Sequence, residues 1–343
     1  MRRYLPLLVI SFLIVAVVLA GTFLASYAGR QDPAVLRSIV VYTTLPVEQA
    51  ALLAQEFEKT AGVRVNIVPL APADLLTRAR LDAGSLRADV MLASVDTLEL
   101  AKKGKLLSPF ASEQTDIIPG RFSDADDYWT GVWYDPVVFA ANKDYLKKLP
   151  APPASWAELA TIPGCRLVMT DFLAAEAAAN LLYSMAAAGG EEPTLTYLAK
   201  LHPQIVQYAK FLATPVRMVG LGEADIAVAV RSETLRYVRD GFPVQAISPT
   251  DGTAVFLTGA ALTAGAPHAD DARKFIDWLL QNQAQEVLYT NKYYLVPTNP
   301  EARLAKEYEG KNLKIFDIKT AMTPEQKAKL LDKWVQTVRL ASH

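Results

Sequence analysis

The chain opens on an unbroken apolar run. Arg2 and Arg3 precede Leu5-Pro6-Leu7-Leu8-Val9-Ile10, and no further charge appears before Arg30. Cations ahead of such a run mark an export signal or a membrane anchor, with Arg2 and Arg3 held in the cytoplasm and the remainder outside. Ser26-Tyr27-Ala28 offers small residues where a signal peptidase cuts, yet the run is longer than an ordinary signal core. Residues 1–28 are therefore read as either a cleaved signal or a retained anchor, and 29–36 as a linker.

Beyond the linker the pattern alternates. Ser38–Tyr42 is β-branched and reads as a strand. Pro46 opens a helix with Ala50, Leu53, Ala54 and Phe57 on one face, and Gly62 stops it. Val63, Val65 and Ile67 alternate as a strand, and a helix follows from Asp74 to near Gly84. Ala88–Ala93 is a third strand, followed by a helix from Asp96 to Lys103. This order implies a parallel sheet with helices on both faces. An extended stretch then runs from Gly131 to Phe139. A second alternation follows, with strands at 166–170, 224–230 and 244–247 and helices at 174–188, 194–200, 204–212 and 233–239. A return strand at 254–262 precedes a strong helix at 270–280. The amphipathic stretch Pro324–Ala341 carries Leu330, Leu331, Trp334 and Val338 on one face, for core packing or for docking a partner.

Two α/β units in series with a returning strand predict two lobes, a two-strand hinge and a cleft between them. The expected division is 37–136 for the first lobe, completed by about 250–300, then 137–249 for the second and 301–343 for C-terminal helices.

Composition narrows the function. Of 343 residues, 51% are hydrophobic and 21% charged, which excludes disorder and coiled coil. Thirty-five basic against 36 acidic side chains give net −1, so no basic field calls for nucleic acid. The single cysteine, Cys165, excludes an intrachain disulfide and a cysteine zinc site, and no cysteine follows the apolar run to carry a lipid. Three histidines are thin material for acid–base chemistry. No serine-nucleophile elbow, His-Glu-x-x-His or phosphate-binding loop occurs. No enzyme and no cofactor are expected.

Several segments resemble the periplasmic solute-binding proteins of ABC importers, in the branch that holds ferric-iron, phosphonate and sugar-phosphate binders. They are Ala88-Asp89-Val90 to Gly104-Lys105-Leu106, Tyr128-Trp129-Thr130-Gly131, Asn142–Leu146, Gly222-Glu223-Ala224-Asp225-Ile226-Ala227, Gly241-Phe242-Pro243-Val244 and Ala272–Leu279 with Gln283-Ala284-Gln285. They stand in the family's order from about Ser38 to Pro300. The resemblance implies an α/β fold of two lobes, type II-like, closing on a solute and passing it to the transmembrane subunits of an ABC permease. It also implies an exported or anchored, monomeric protein. A sensor serving a membrane receptor is the alternative of another class.

Ligands in open α/β sheets sit beyond the carboxyl ends of strands. That places Thr43, Thr44 and Ser94 at the cleft, with Asp96 either contacting ligand or capping its helix. Tyr134 stands at the first crossing, in the cleft or in the core. Phe172 replaces the small residues the family uses at that turn, and would stack on an organic ligand. Arg231 would grip a carboxylate or phosphonate, or else pair with Asp225 or Glu233 at the surface. Asp251, at the second crossing, would meet an amine or serve only as hinge. The iron binders' tyrosine pair is missing at Arg231-Ser232-Glu233, and Tyr293-Tyr294 reads as packing. The expected ligand is a small organic anion or zwitterion, of phosphonate, sugar-phosphate or carboxylate type, with an iron complex as the alternative.

Overall fold

The computed structural model describes residues 37–81, 87–308, 313–318 and 322–341. The signal or anchor at 1–28 and the linker at 29–36 lie outside the described residues. No helix among the described residues is long and apolar enough to cross a membrane.

The first sheet grows from β1 (Ser38–Thr43), with β2 (Arg64–Pro69) and β3 (Val90–Ser94) parallel on its two sides. Buried Val, Ile and Leu on these strands pack under the helices Val47–Ala61 and Ala269–Leu279, around Phe57, Phe275 and Trp278. The short β4 (Leu107–Ser108) pairs with the later strand β10 (Val255–Thr263).

β5 (Thr130–Asn142) is the joint of the molecule. Its first half, Thr130–Pro136, runs antiparallel to the returning strand β10 (Val255–Thr263), which itself lies antiparallel to β3. Its second half, Val137–Ala141, pairs with β8 (Ile226–Val230). The second sheet continues through β6 (Leu167–Thr170) to β7 (Ile205–Ala209), with β9 (Val244–Ile247) on the other side of β5. β11 (Val296–Pro297) closes against β5 in the first lobe. The two-lobe α/β fold with a crossing pair of strands is therefore present.

Two local expectations change. The 204–212 stretch is strand β7 rather than helix, because Ile205 and Val206 favour a pleated edge and β6 offers an open parallel partner. The C-terminal helices do not form one unit. Arg303–Tyr308 packs beside β11 in the first lobe, whereas Pro324–Trp334 and Val335–Arg339 bury Leu330, Trp334 and Val338 in the second-lobe core. Between them the chain passes the hinge a third time. Thr253 donates its amide to the Lys314 carbonyl at 2.9 Å and accepts from the Phe316 amide at 2.9 Å. Gly252 makes this possible, since it has φ 117° and a Cβ there would lie 2.9 Å from the Phe316 ring.

Candidate functional site

A cleft of about 310 Å³ opens between the lobes and takes side chains from both. Three helix N-termini line it: Val47–Ala61 behind Pro46, Glu176–Gly189 behind Ala175, and Arg231–Arg239 behind Val230. None is capped by the side chain of its own N-cap residue, so the first-turn amides behind Pro46 and Ala175 are left to meet water or ligand, whereas behind Val230 the Ser232 amide is taken by Asp135.

On the first-lobe wall, Thr44 and Gln49 face the cleft. Gln49 is 5% exposed, and its Nε2 is buried without a hydrogen-bond partner. A buried amide donor left unpaired is costly, so it marks a place where a ligand acceptor belongs.

The opposite wall is acidic. Asp135, on β5, accepts from the Ser232 amide at 2.9 Å and from the Ser232 hydroxyl. Its burial raises the carboxyl pKa to about 6 against those hydrogen bonds. Glu176 and Glu233 are also pushed upward by burial. Glu233 Oε2 lies 2.8 Å from the Arg236 guanidinium, an ion pair off the hydrogen-bonding direction, so that buried oxygen accepts no hydrogen bond. Arg236, Lys292 and Tyr293 complete this side. Among the described residues, no cluster of three or more His, Cys, Asp or Glu could hold a metal ion.

The expected site residues fare differently. Thr44 lines the cleft. Thr43 is fully buried, donating to the Leu92 carbonyl at 2.6 Å and accepting from the Leu45 amide, so it fastens β1 to β3. Ser94 is buried too. It caps the helix Val95–Lys103 by accepting from the Thr97 amide, and its hydroxyl donates across the lobes to Glu176 at 3.1 Å. Asp96 is thus no cap, and it pairs with Lys327.

Tyr134 points away from the cleft, because Trp133 and Asp135 take the cleft face of β5. Its ring stacks on Phe122 at 4.9 Å. Phe172 is 2% exposed and packs on Trp334 at 4.7 Å, so the stacking role is replaced by core packing. Arg231 turns to the far side of the hinge, donates to the Tyr294 carbonyl at 3.1 Å and lies over the Tyr308 ring at 4.3 Å. The surface partners considered for it are taken, Asp225 by Arg166 and Glu233 by Arg236. Asp251 accepts from the Trp156 amide at 3.0 Å and lies by a different groove, outside the cleft.

Sequence reasoning missed Gln49, Asp135, Glu176, Glu233 and Arg236. Strand parity was the available signal for Asp135: in a strand that also buries Trp133, Asp135 must share its face. Gln49, Glu176 and Glu233 stand in the first turns of helices, and Arg236 lies one turn beyond Glu233.

A second interlobe chamber, of about 560 Å³, lies beyond the edge of β10. Phe256 lines both chambers, while Ser94, Asp96 and Asn180 face only this one.

Comparison with known proteins shows the family and the fold. The family model described as bacterial extracellular solute-binding protein matches residues 53–315. A probable ABC transporter periplasmic-binding protein of Sinorhizobium fredii is 26% identical over 347 residues, covering 97% of this chain and 92% of the relative. A putative 2-aminoethylphosphonate-binding periplasmic protein of Salmonella typhi is 23% identical over 236 residues, 67% of this chain and 68% of the relative. Among solved structures, a periplasmic binding protein of Actinobacillus pleuropneumoniae with fructose-6-phosphate bound superposes with a TM-score of 0.73 at 23% identity. It covers 89% of this chain and 99% of that one.

Proposed function

The chain belongs to the bacterial extracellular solute-binding proteins, and from that premise we propose that its interlobe cleft captures a small organic zwitterion. It is the periplasmic solute-binding component of an ABC transporter and not an enzyme. The finer reading is that it works as a monomer outside the cytoplasmic membrane, exported or held there by residues 1–28, and hands its ligand to permease subunits. The lobes that close are 37–136 with about 250–300, and 137–249.

One observation carries the choice of ligand. Gln49 presents an unpaired buried amide donor on one wall, and Glu176 and Glu233 present partly buried carboxylates on the other. The donor, with the uncapped amides behind Pro46, suits a phosphonate or carboxylate oxygen. The carboxylates suit an ammonium group, which would hold them ionised. An aminoalkylphosphonate or an amino acid has both ends. A plain anion would face three carboxylates with Arg236 and Lys292 already engaged by Glu233 and Asp240. Bare ferric iron would lack a phenolate pair and would meet Arg236.

Thermal melting of residues 29–343 against aminoalkylphosphonates, amino acids, alkylphosphonates, sugar phosphates and ferric citrate tests this. A true ligand at 100 times its dissociation constant adds about 2.7 kcal/mol, a rise of a few degrees. The rise is expected with zwitterions. A rise only with ferric citrate or only with plain anions would overturn the ligand class.

A further inference from the structure

The hinge was expected to hold two crossings, and the third ends in something the ligand reading does not use. After Arg303–Tyr308 the chain pairs with Thr253 at the hinge and then docks the helix Pro324–Trp334 on the second lobe. The docking is firm: Leu330 and Trp334 are fully buried and Val338 is 1% exposed. Thr323 and Gln326 close a capping box at the helix start.

Lys327 leaves this helix in the other direction. Its ammonium lies 5.2 Å from the ring centre of Tyr183, a second-lobe residue, and ends 2.5 Å from the Asp96 carboxylate in the first lobe. Two residues before Asp96, Ser94 donates to Glu176 of the second lobe. The start of the helix Val95–Lys103, just past the end of β3 where Ser94 lies opposite Thr258 of β10, is therefore tied to the second lobe twice. Opening the cleft about β5 and β10 separates these atoms, so both ties must break.

We propose that the C-terminal helix is a strap, anchored in the second lobe by Leu330, Trp334 and Val338 and fastened to the first by Lys327 on Asp96, that biases the ligand-free protein toward closure. The fastener is weak by design of its surroundings. Lys327 and Asp96 side chains are 21% and 52% exposed, and a pair of that kind shifts an equilibrium by roughly 1.5- to 5-fold. A bias of that size adjusts how much closed protein exists before ligand arrives without locking the cleft. High salt would weaken it.

Spin labels on the full-length chain, at Lys59→Cys in the first lobe and Lys200→Cys in the second, would report the distribution of interlobe distances without ligand. Lys327→Glu should shift the ratio of open to closed populations at least threefold toward open. Asp96→Lys alone should do the same, and the two together should restore the wild-type ratio. Lys329→Glu, on an exposed part of the same helix, should change nothing. An unchanged ratio in Lys327→Glu would overturn the strap, as would a double variant that stays open. Because no ligand is present, neither outcome bears on which solute the cleft takes.

Discussion

The first-lobe wall of the cleft carries neutral donors, Thr44 and Gln49, whereas the second-lobe wall and β5 carry carboxylates, Asp135, Glu176 and Glu233. Both walls are nevertheless built alike, from a strand end followed by a helix without a cap from its own N-cap side chain, although Asp135 takes the Ser232 amide on the second-lobe side. The difference teaches that the strand-end geometry supplies the place and the first helical turn supplies the selectivity. The residue at the strand end itself is consumed by the fold. Thr43 and Ser94 bond to backbone or cap, and Arg231 turns behind the hinge.

The sharpest break of this comparison comes from a residue behind the acidic wall. Phe172→Ala removes a core ring that packs on Trp334, and should cost about 3–5 kcal/mol of stability in denaturant unfolding. If the loss fell instead on ligand affinity with stability intact, Phe172 would belong to the cleft.

Asp135 comes next. Its folded pKa of about 6 exceeds the ordinary aspartate value, so its stabilising share is complete below the unfolded value and fades as pH rises through 6. The fully buried group can account for at most about 3 kcal/mol across that window. Neighbouring Arg231 and Ser232 oppose the shift and Glu233 adds to it. Unfolding at pH 4 and pH 8 should show wild type losing stability relative to Asp135→Asn. Parallel pH profiles would contradict the assignment.

The walls themselves are compared by affinity. Glu233→Gln should weaken 2-aminoethylphosphonate by about 10- to 100-fold, since it removes a charged acceptor worth roughly 1.5–3 kcal/mol. Gln49→Ala removes a neutral donor and should cost only about 2- to 10-fold. Equal losses measured by calorimetry would erase the distinction between the walls.

Much of the architecture was legible in the residues. Periodicity located the principal strands of both sheets, though not β4, β7 or β11, and the long apolar stretch Gly131–Phe139 announced the crossing strand β5. The short β7 was misread because five residues hold too little periodicity to separate strand from helix. The site was legible in position more than in identity. Thr44 lines the cleft as expected of a residue just past a strand end. Phe172 and Arg231 misled because their environment is made by Trp334, Tyr294 and Tyr308, which arrive from distant parts of the chain. No local pattern records that the C-terminal helix returns to the second lobe and covers Phe172.

The most direct test of a zwitterion-selective cleft is calorimetric titration of the wild-type protein with 2-aminoethylphosphonate and with ethylphosphonate, which differ only in the amine. The account predicts that the amine improves the dissociation constant at least tenfold, a gain that Glu233→Gln largely removes. Equal or tighter binding of ethylphosphonate would contradict it and return the cleft to plain anions.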